Sequence, residues 1–168
     1  MPAPRFSVAV VVERVPLANR WASEQWRVAA VEPDDAPAAP PRMQSEDATR
    51  TRWRFPGHAV ELHRSESEGY FLNITSPEPK IFVMWRAPDA DDAELKMHPR
   101  LVTVSYNEAG RLLDGGEQVD AVPLPAEILA WMQPFVAEHY RPEPKRKSRR
   151  NQLYERDRAD GSPEKTGR

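Results

Sequence analysis

The stretch Phe6-Ser7-Val8-Ala9-Val10-Val11-Val12-Glu13-Arg14-Val15 decides how the rest of the chain is interpreted. Its run of β-branched residues is typical of a buried strand, and Pro16 ends that strand because proline cannot donate to a ladder. The apolar run is far too short to span a bilayer or to serve as the core of an export signal. We therefore expect a soluble, cytoplasmic, β-rich protein built outward from this strand.

Several later segments of the sequence also have the pattern of β-strands. Gln25–Val31 predicts a second strand, and the proline-rich residues 32–41 predict a surface loop. Residues 49–55 alternate Arg50, Arg52 and Arg54 on one face with Thr51, Trp53 and Phe55 on the other. A turn at Pro56-Gly57 then leads to further predicted strands, which cover residues 59–63, 70–75, 81–86, 101–106 and, briefly, 119–122.

Helical signals are confined to the C-terminal part of the sequence. Asn107–Asp114 predicts a short helix with Asn107 as its N-cap, and Pro125 begins a longer one in which Pro134 limits the second half. The fold class is therefore α+β: a mainly antiparallel β domain of about seven strands with one C-terminal packing helix. This single domain covers residues 1–140. Residues 141–168 have too few apolar side chains to repay the entropy of ordering and predict a disordered tail.

Charge divides the 168-residue chain at the same place. Residues 1–140 hold 14 Lys+Arg and 21 Asp+Glu, a net charge of −7, whereas residues 141–168 hold 10 and 5, a net charge of +5. The chain has no cysteine, which excludes disulfides, thiolate nucleophiles and thiolate-bound metals. Strand alternation sends His58 and His63 to opposite faces, so we expect no metal site. No glycine-rich phosphate loop is present either, and we expect no cofactor and no catalytic residues.

Tryptophan and arginine are the residue types that dominate protein-interface hot spots, and they indicate the candidate binding residues. Trp21 lies beside Arg20 in a polar turn and is the tryptophan that we expect to be partly exposed, with Trp26 nearby on the second strand. The alternative is that Trp21 caps the core next to Trp26. The tail adds a basic cluster suited to an acidic partner more than to nucleic acid; it consists of Lys145, Arg146, Lys147, Arg149 and Arg150.

Three stretches resemble an uncharacterised bacterial family. They are Val10–Arg14 with Asn19-Arg20-Trp21 and Trp26-Arg27, then Leu101–Ala109, and finally Val122–Pro125 through Phe135–Tyr140 with Lys145-Arg146-Lys147. The family is a domain of unknown function, sometimes labelled molybdopterin-guanine dinucleotide biosynthesis protein A. Its members are typically encoded beside genes of molybdenum-dependent formate dehydrogenases.

The resemblance implies a function in two alternative forms. The first is a non-catalytic accessory protein in the maturation or assembly of a molybdenum-dependent formate dehydrogenase, whose subunits are its partners. The second is an enzyme or carrier that binds a nucleotide or the molybdenum cofactor through Arg50, Arg52 and Arg54. The missing phosphate loop favours the first, because the first strand runs directly into Glu13-Arg14-Val15-Pro16.

Overall fold

Residues 2–142, the part of the chain that the computed structural model describes, fold into seven strands and three α-helices. The strands are β1 (Arg5–Pro16), β2 (Glu24–Pro33), β3 (Arg42–Glu46), β4 (Thr51–Glu61), β5 (Lys80–Arg86), β6 (His98–Thr103) and β7 (Gln118–Pro123). The helices are α1 (Ser67–Ile74), α2 (Tyr106–Asp114) and α3 (Ala126–His139). The expected disordered tail lies almost wholly outside the described residues, so its boundary stays a prediction.

The N-terminal sheet has the strand order β2-β1-β4-β3, and all its pairings are antiparallel. β1 is central and buried on both faces, because Val8 through Glu13 are each no more than 2% exposed. Val8, Val10 and Val12 belong to the hydrophobic core. Ala9, Val11 and Glu13 alternate with them and point to the other face of the sheet, which we call the outward face. This strand is therefore buried, as its composition predicts, and it lies inside the N-terminal sheet between β2 and β4.

The C-terminal sheet has the order β6-β5-β7 and packs against the N-terminal sheet. The carboxylate of Asp120 on β7 joins the two sheets. It accepts hydrogen bonds from the backbone N–H of Val28 on β2 (2.8 Å) and from the indole N–H of Trp85 on β5 (3.1 Å). Val28 lies at a bulge in the pairing of β1 with β2, and the Asp120 bond supplies its N–H with an acceptor from the other sheet.

Asn73, at the end of α1 and only 1% exposed, connects a helix to the start of the central strand β5 and to the residue that follows β6. Its side-chain amide donates to the carbonyl oxygens of Lys80 (2.7 Å) and Val104 (2.9 Å), and its oxygen accepts from the Lys80 N–H (2.9 Å). Close by, α1 approaches α2 at Gly69, where a β-carbon would lie 2.1 Å from the hydroxyl of Ser105. Glycine is therefore required for this helix contact.

The predicted fold class is confirmed: the described residues form an α+β domain dominated by antiparallel strands, and α3 packs against the core through Ile128, Met132 and Val136. The strand predicted at 70–75 was wrong, because residues 70–74 belong to α1 and Thr75 is its C-cap. A short apolar segment does not distinguish a strand from a buried helix by its pattern alone. Here the Tyr70 hydroxyl accepts from the N–H of His63, and the Asn73 amide donates to the carbonyl of Val104, 31 residues away.

Two other local predictions were wrong. Pro56-Gly57 does not reverse the chain. It forms a bulge inside the single strand β4, and Gly57 takes the positive φ of 84° that favours glycine. The N-cap of α2 is Ser105, not Asn107, since the Ser105 hydroxyl accepts from the N–H of Glu108 (3.0 Å). None of the described helices has the length and apolar character needed to cross a bilayer.

Replacing Asn73 by Ala should lower the free energy of unfolding by about 3 kcal/mol, because it leaves buried groups of Lys80 and Val104 without partners. Chemical denaturation measures the effect. The matched control is Gln133→Ala on the exposed side of α3, which we expect to change stability by about 0.5 kcal/mol at most. Equal effects of the two substitutions would contradict the role given to Asn73.

Candidate functional site

One end of the N-terminal sheet carries the exposed tryptophan turn. Residues 17–23 connect β1 to β2, and the Asn19 side chain accepts hydrogen bonds from the N–H groups of Trp21 and Ala22, both at 2.8 Å. The Leu17 N–H closes the loop by donating to the Ser23 carbonyl (2.9 Å). The Trp21 side chain projects from this turn and is 92% exposed. A fixed backbone thus presents a large apolar ring to solvent.

Trp26 has a different environment, although it lies only five residues away. Its ring stacks on the buried Trp53 of β4, with centroids 5.1 Å apart and an interplanar angle of 23°. The guanidinium of Arg14 lies over both rings, 5.9 Å from the Trp26 centroid and 5.3 Å from that of Trp53. The indole N–H of Trp26 donates to the carboxylate of Glu24. Trp26 is therefore packed into the edge of the core by aromatic and cation–π contacts.

The opposite face of the same strands carries a cluster of three arginines around one carboxylate. Glu13 accepts hydrogen bonds from Nε of Arg27 (2.7 Å), Nε of Arg52 (3.1 Å) and Nη1 of Arg50 (3.3 Å). Arg27 and Arg52 are the register partners of Glu13 on the two neighbouring strands, and Arg50 comes from the turn before β4. We call these four residues the arginine cluster.

Burial and hydrogen bonding oppose each other at Glu13. Desolvation alone would raise the pKa of its carboxyl group, but hydrogen bonds from Arg27, Arg52 and Arg50 outweigh it and hold the pKa below the ordinary value of 4.5. Glu13 is therefore ionised at neutral pH. Three positive charges against one negative charge leave the cluster with a net charge of +2.

Arg54, which shares a face with Arg50 and Arg52, is fully engaged by the protein itself. Its Nε and Nη2 donate to Asp34 at 3.0 and 2.8 Å, and Nη1 donates to Glu32. Only 15% of its side chain is exposed, compared with 47% for Arg50 and 36% for Arg52. The three alternating arginines thus do not form one uniform surface: Arg54 is structural, and the other two retain access to solvent.

A polar groove of about 340 Å³ opens between β4 and β6. His58 and His63 both line it, together with Arg5 and Arg100, so the prediction that these histidines are separated was wrong. Strand alternation fails here because β4 ends at Glu61, before His63. Burial lowers the pKa of His58. Within residues 2–142 no group of His, Asp or Glu side chains is arranged to hold a metal ion.

The candidate binding residues fall into three groups. Arg20 and Trp21 are exposed at the turn, and the alternative position of Trp21 against the core is wrong. Trp26 is tied to Trp53 and does not share that exposure. Lys145, Arg146, Lys147, Arg149 and Arg150 lie outside the described residues. The binding role of all eight stays a prediction, and the arginine cluster is an addition that sequence reasoning missed.

Replacing Glu13 by Gln leaves three arginines converging without a counter-charge. We expect the free energy of unfolding to fall by about 3 kcal/mol at neutral pH, the lower end for a broken buried ion pair, because the arginines are partly exposed. Since the folded-state pKa lies below 4.5, Glu13 stabilises the fold fully above that pH and loses its contribution as the pH falls further. The difference between parent and variant should therefore narrow in acid.

Denaturant titrations at a series of pH values measure this difference. Glu94→Gln, in an exposed loop, serves as the matched control and should change stability by about 0.5 kcal/mol at most. A Glu13→Gln effect that stays constant as the pH falls well below 4.5 would show that the charge of Glu13 does not stabilise the fold.

Comparison with known proteins gives one match. Residues 7–149 match the model of a family described as a protein of unknown function, DUF3305. No match was found among curated proteins, and none was found among solved structures. The expected membership of a family of unknown function is thereby confirmed over most of the sequence. The chain belongs to the DUF3305 family.

Proposed function

We propose that this protein is a non-catalytic accessory protein that binds another protein through the turn at Trp21. The observation that carries the proposal is the exposure of 92% of that tryptophan side chain. Burying an aromatic ring of this size in a partner removes a large apolar area from water, which is the dominant favourable term in association. Arg20, its exposed neighbour, supplies a charged group at the rim of such a contact.

The geometry of the turn favours tight docking. The two hydrogen bonds to Asn19 and the Leu17–Ser23 bond already fix the backbone around Trp21. A partner then orders little more than the rotamer of one side chain, so less conformational entropy opposes binding. A mobile loop with the same sequence would bind more weakly, because it would have to be ordered at the moment of docking.

We propose further that the partner is a subunit of a molybdenum-dependent formate dehydrogenase, and that the chain acts in the maturation or assembly of that enzyme. The support is the resemblance described in the sequence analysis, which implies that the gene is encoded beside genes of such enzymes. The cytoplasm is the compartment in which we place this activity. The basic cluster Lys145–Arg150 would provide a second, electrostatic attachment to an acidic surface.

The alternative function, binding of a nucleotide or of the molybdenum cofactor, gains little from the arrangement of Arg50, Arg52 and Arg54. Arg54 is occupied by Glu32 and Asp34, so the three arginines do not form the common surface that this alternative requires. Nor does the connection after β1 provide a glycine-rich loop leading into a helix, since residues 17–23 form a turn between two antiparallel strands. We therefore favour the accessory function.

Replacing Trp21 by Ala should weaken capture of purified formate dehydrogenase subunits by about 2 kcal/mol, or roughly thirtyfold in Kd, because it removes the anchor. The melting temperature should stay almost unchanged, since so exposed a side chain contributes little to the fold. Leu113→Ala, at a residue 55% exposed on α2, is the matched control and should leave capture intact. Unchanged capture by the Trp21 variant would refute the proposed anchor.

A further inference from the structure

We propose that the arginine cluster binds the carboxylates of an acidic segment in the partner protein. The inference rests on the proposed docking function and names the chemistry of the partner surface next to Trp21. It follows from an imbalance between donors and acceptors at Arg27, Arg50 and Arg52. These three side chains surround one carboxylate, and 36% to 50% of each remains exposed.

The unused donors lie at the outer ends of two arginines. Arg27 and Arg52 each donate to Glu13 through Nε, and within residues 2–142 neither of them donates a further hydrogen bond through its Nη nitrogens. A guanidinium bound through Nε keeps its terminal nitrogens available for a two-bond contact with a carboxylate. Arg50 uses only Nη1. The cluster thus keeps most of its donors for a ligand.

Glu13 acts as a positioning residue. Its buried carboxylate holds the two guanidinium groups through short hydrogen bonds, so their orientation is set before any ligand arrives. Arg54 shows the contrasting case on the same face of β4, because Glu32 and Asp34 engage all three of its nitrogens.

Charge and position both indicate a partner carboxylate. The cluster has a net charge of +2 within a body whose net charge is −7, so an acidic segment is attracted to this place and repelled by most of the remaining surface. Arg27 lies three residue pairs from the end of the β1–β2 ladder, about 10 Å from the base of the Trp21 turn at the usual rise per residue. One partner segment can therefore reach both.

The test measures binding of a fluorescent oligoglutamate peptide by anisotropy. The full-length parent for this assay has its tail cluster neutralised, so that only the folded body contributes; the changes are Lys145→Gln, Arg146→Gln, Lys147→Gln, Arg149→Gln and Arg150→Gln. Arg27→Gln and Arg52→Gln should each weaken binding about tenfold by removing a charge-assisted pair of hydrogen bonds. Arg86→Gln, at an exposed arginine paired with Glu117, should bind like the parent.

One further variant distinguishes a loss of binding from a loss of folding. Arg50→Gln removes the longest of the three contacts and leaves Glu13 its two shorter ones, so it should melt like the parent and still bind more weakly. Binding unaffected by all three arginine variants overturns the proposal. Displacement of the peptide by micromolar inorganic pyrophosphate, with no displacement by free glutamate at far higher concentration, also overturns it in favour of a phosphate ligand.

The result of the peptide-binding test does not depend on whether Trp21 is the anchor. Should Trp21→Ala abolish capture of formate dehydrogenase while the arginine variants bind oligoglutamate normally, docking through Trp21 stands and the carboxylate site is refuted. Should Trp21→Ala leave capture intact while the arginine variants lose the peptide, the carboxylate site stands and the proposed anchor is refuted.

Discussion

A polar side chain on a strand that is buried on both faces needs partners from the neighbouring elements. β1 carries such a side chain, Glu13. Its carboxylate is 2% exposed and lies directly between Arg27 on β2 and Arg52 on β4. Shifting either neighbour by one residue would turn its arginine to the other face and leave the carboxylate buried without that donor. This one ion-pair network therefore favours a single register of β1 against β2 and β4.

The same network shapes what the sheet presents to other molecules. On the outward face it produces an organised group of partly exposed guanidinium groups. On the core face, the next residue of β1, Arg14, lies over Trp26 and Trp53 and completes the edge of the core. The turn that carries Trp21 connects β1 to β2. Two adjacent residues of β1, Glu13 and Arg14, thus contribute both to the stability of the sheet and to the surface that it exposes. A substitution on the surface at this end of the sheet therefore also affects the fold.

The sequence predicts the fold class and the exposed tryptophan, because both follow from local patterns. β-Branched runs identify β1, and the polar neighbours of Trp21 predict its exposure. The helix at residues 67–74 escapes prediction since its Asn73 is held by the carbonyl of Val104, 31 residues away in the chain. The arginine cluster escapes it for a similar reason: Glu13 stands 14 residues from Arg27 and 39 from Arg52. A glutamate at the end of a buried strand was nevertheless a signal that cationic partners were required.

The order in which the sheets occur along the chain has a consequence for synthesis. The N-terminal sheet is complete once residue 61 has been made, yet its apolar face is covered by β5 through β7 and α3, which end at residue 139. Ribosomes add about 5–20 residues per second, so the valines and aromatic rings of the N-terminal sheet wait roughly 4–16 seconds for the segments that cover them. An apolar surface that stays uncovered during synthesis is prone to aggregation, so the late position of these segments in the chain extends the period of risk.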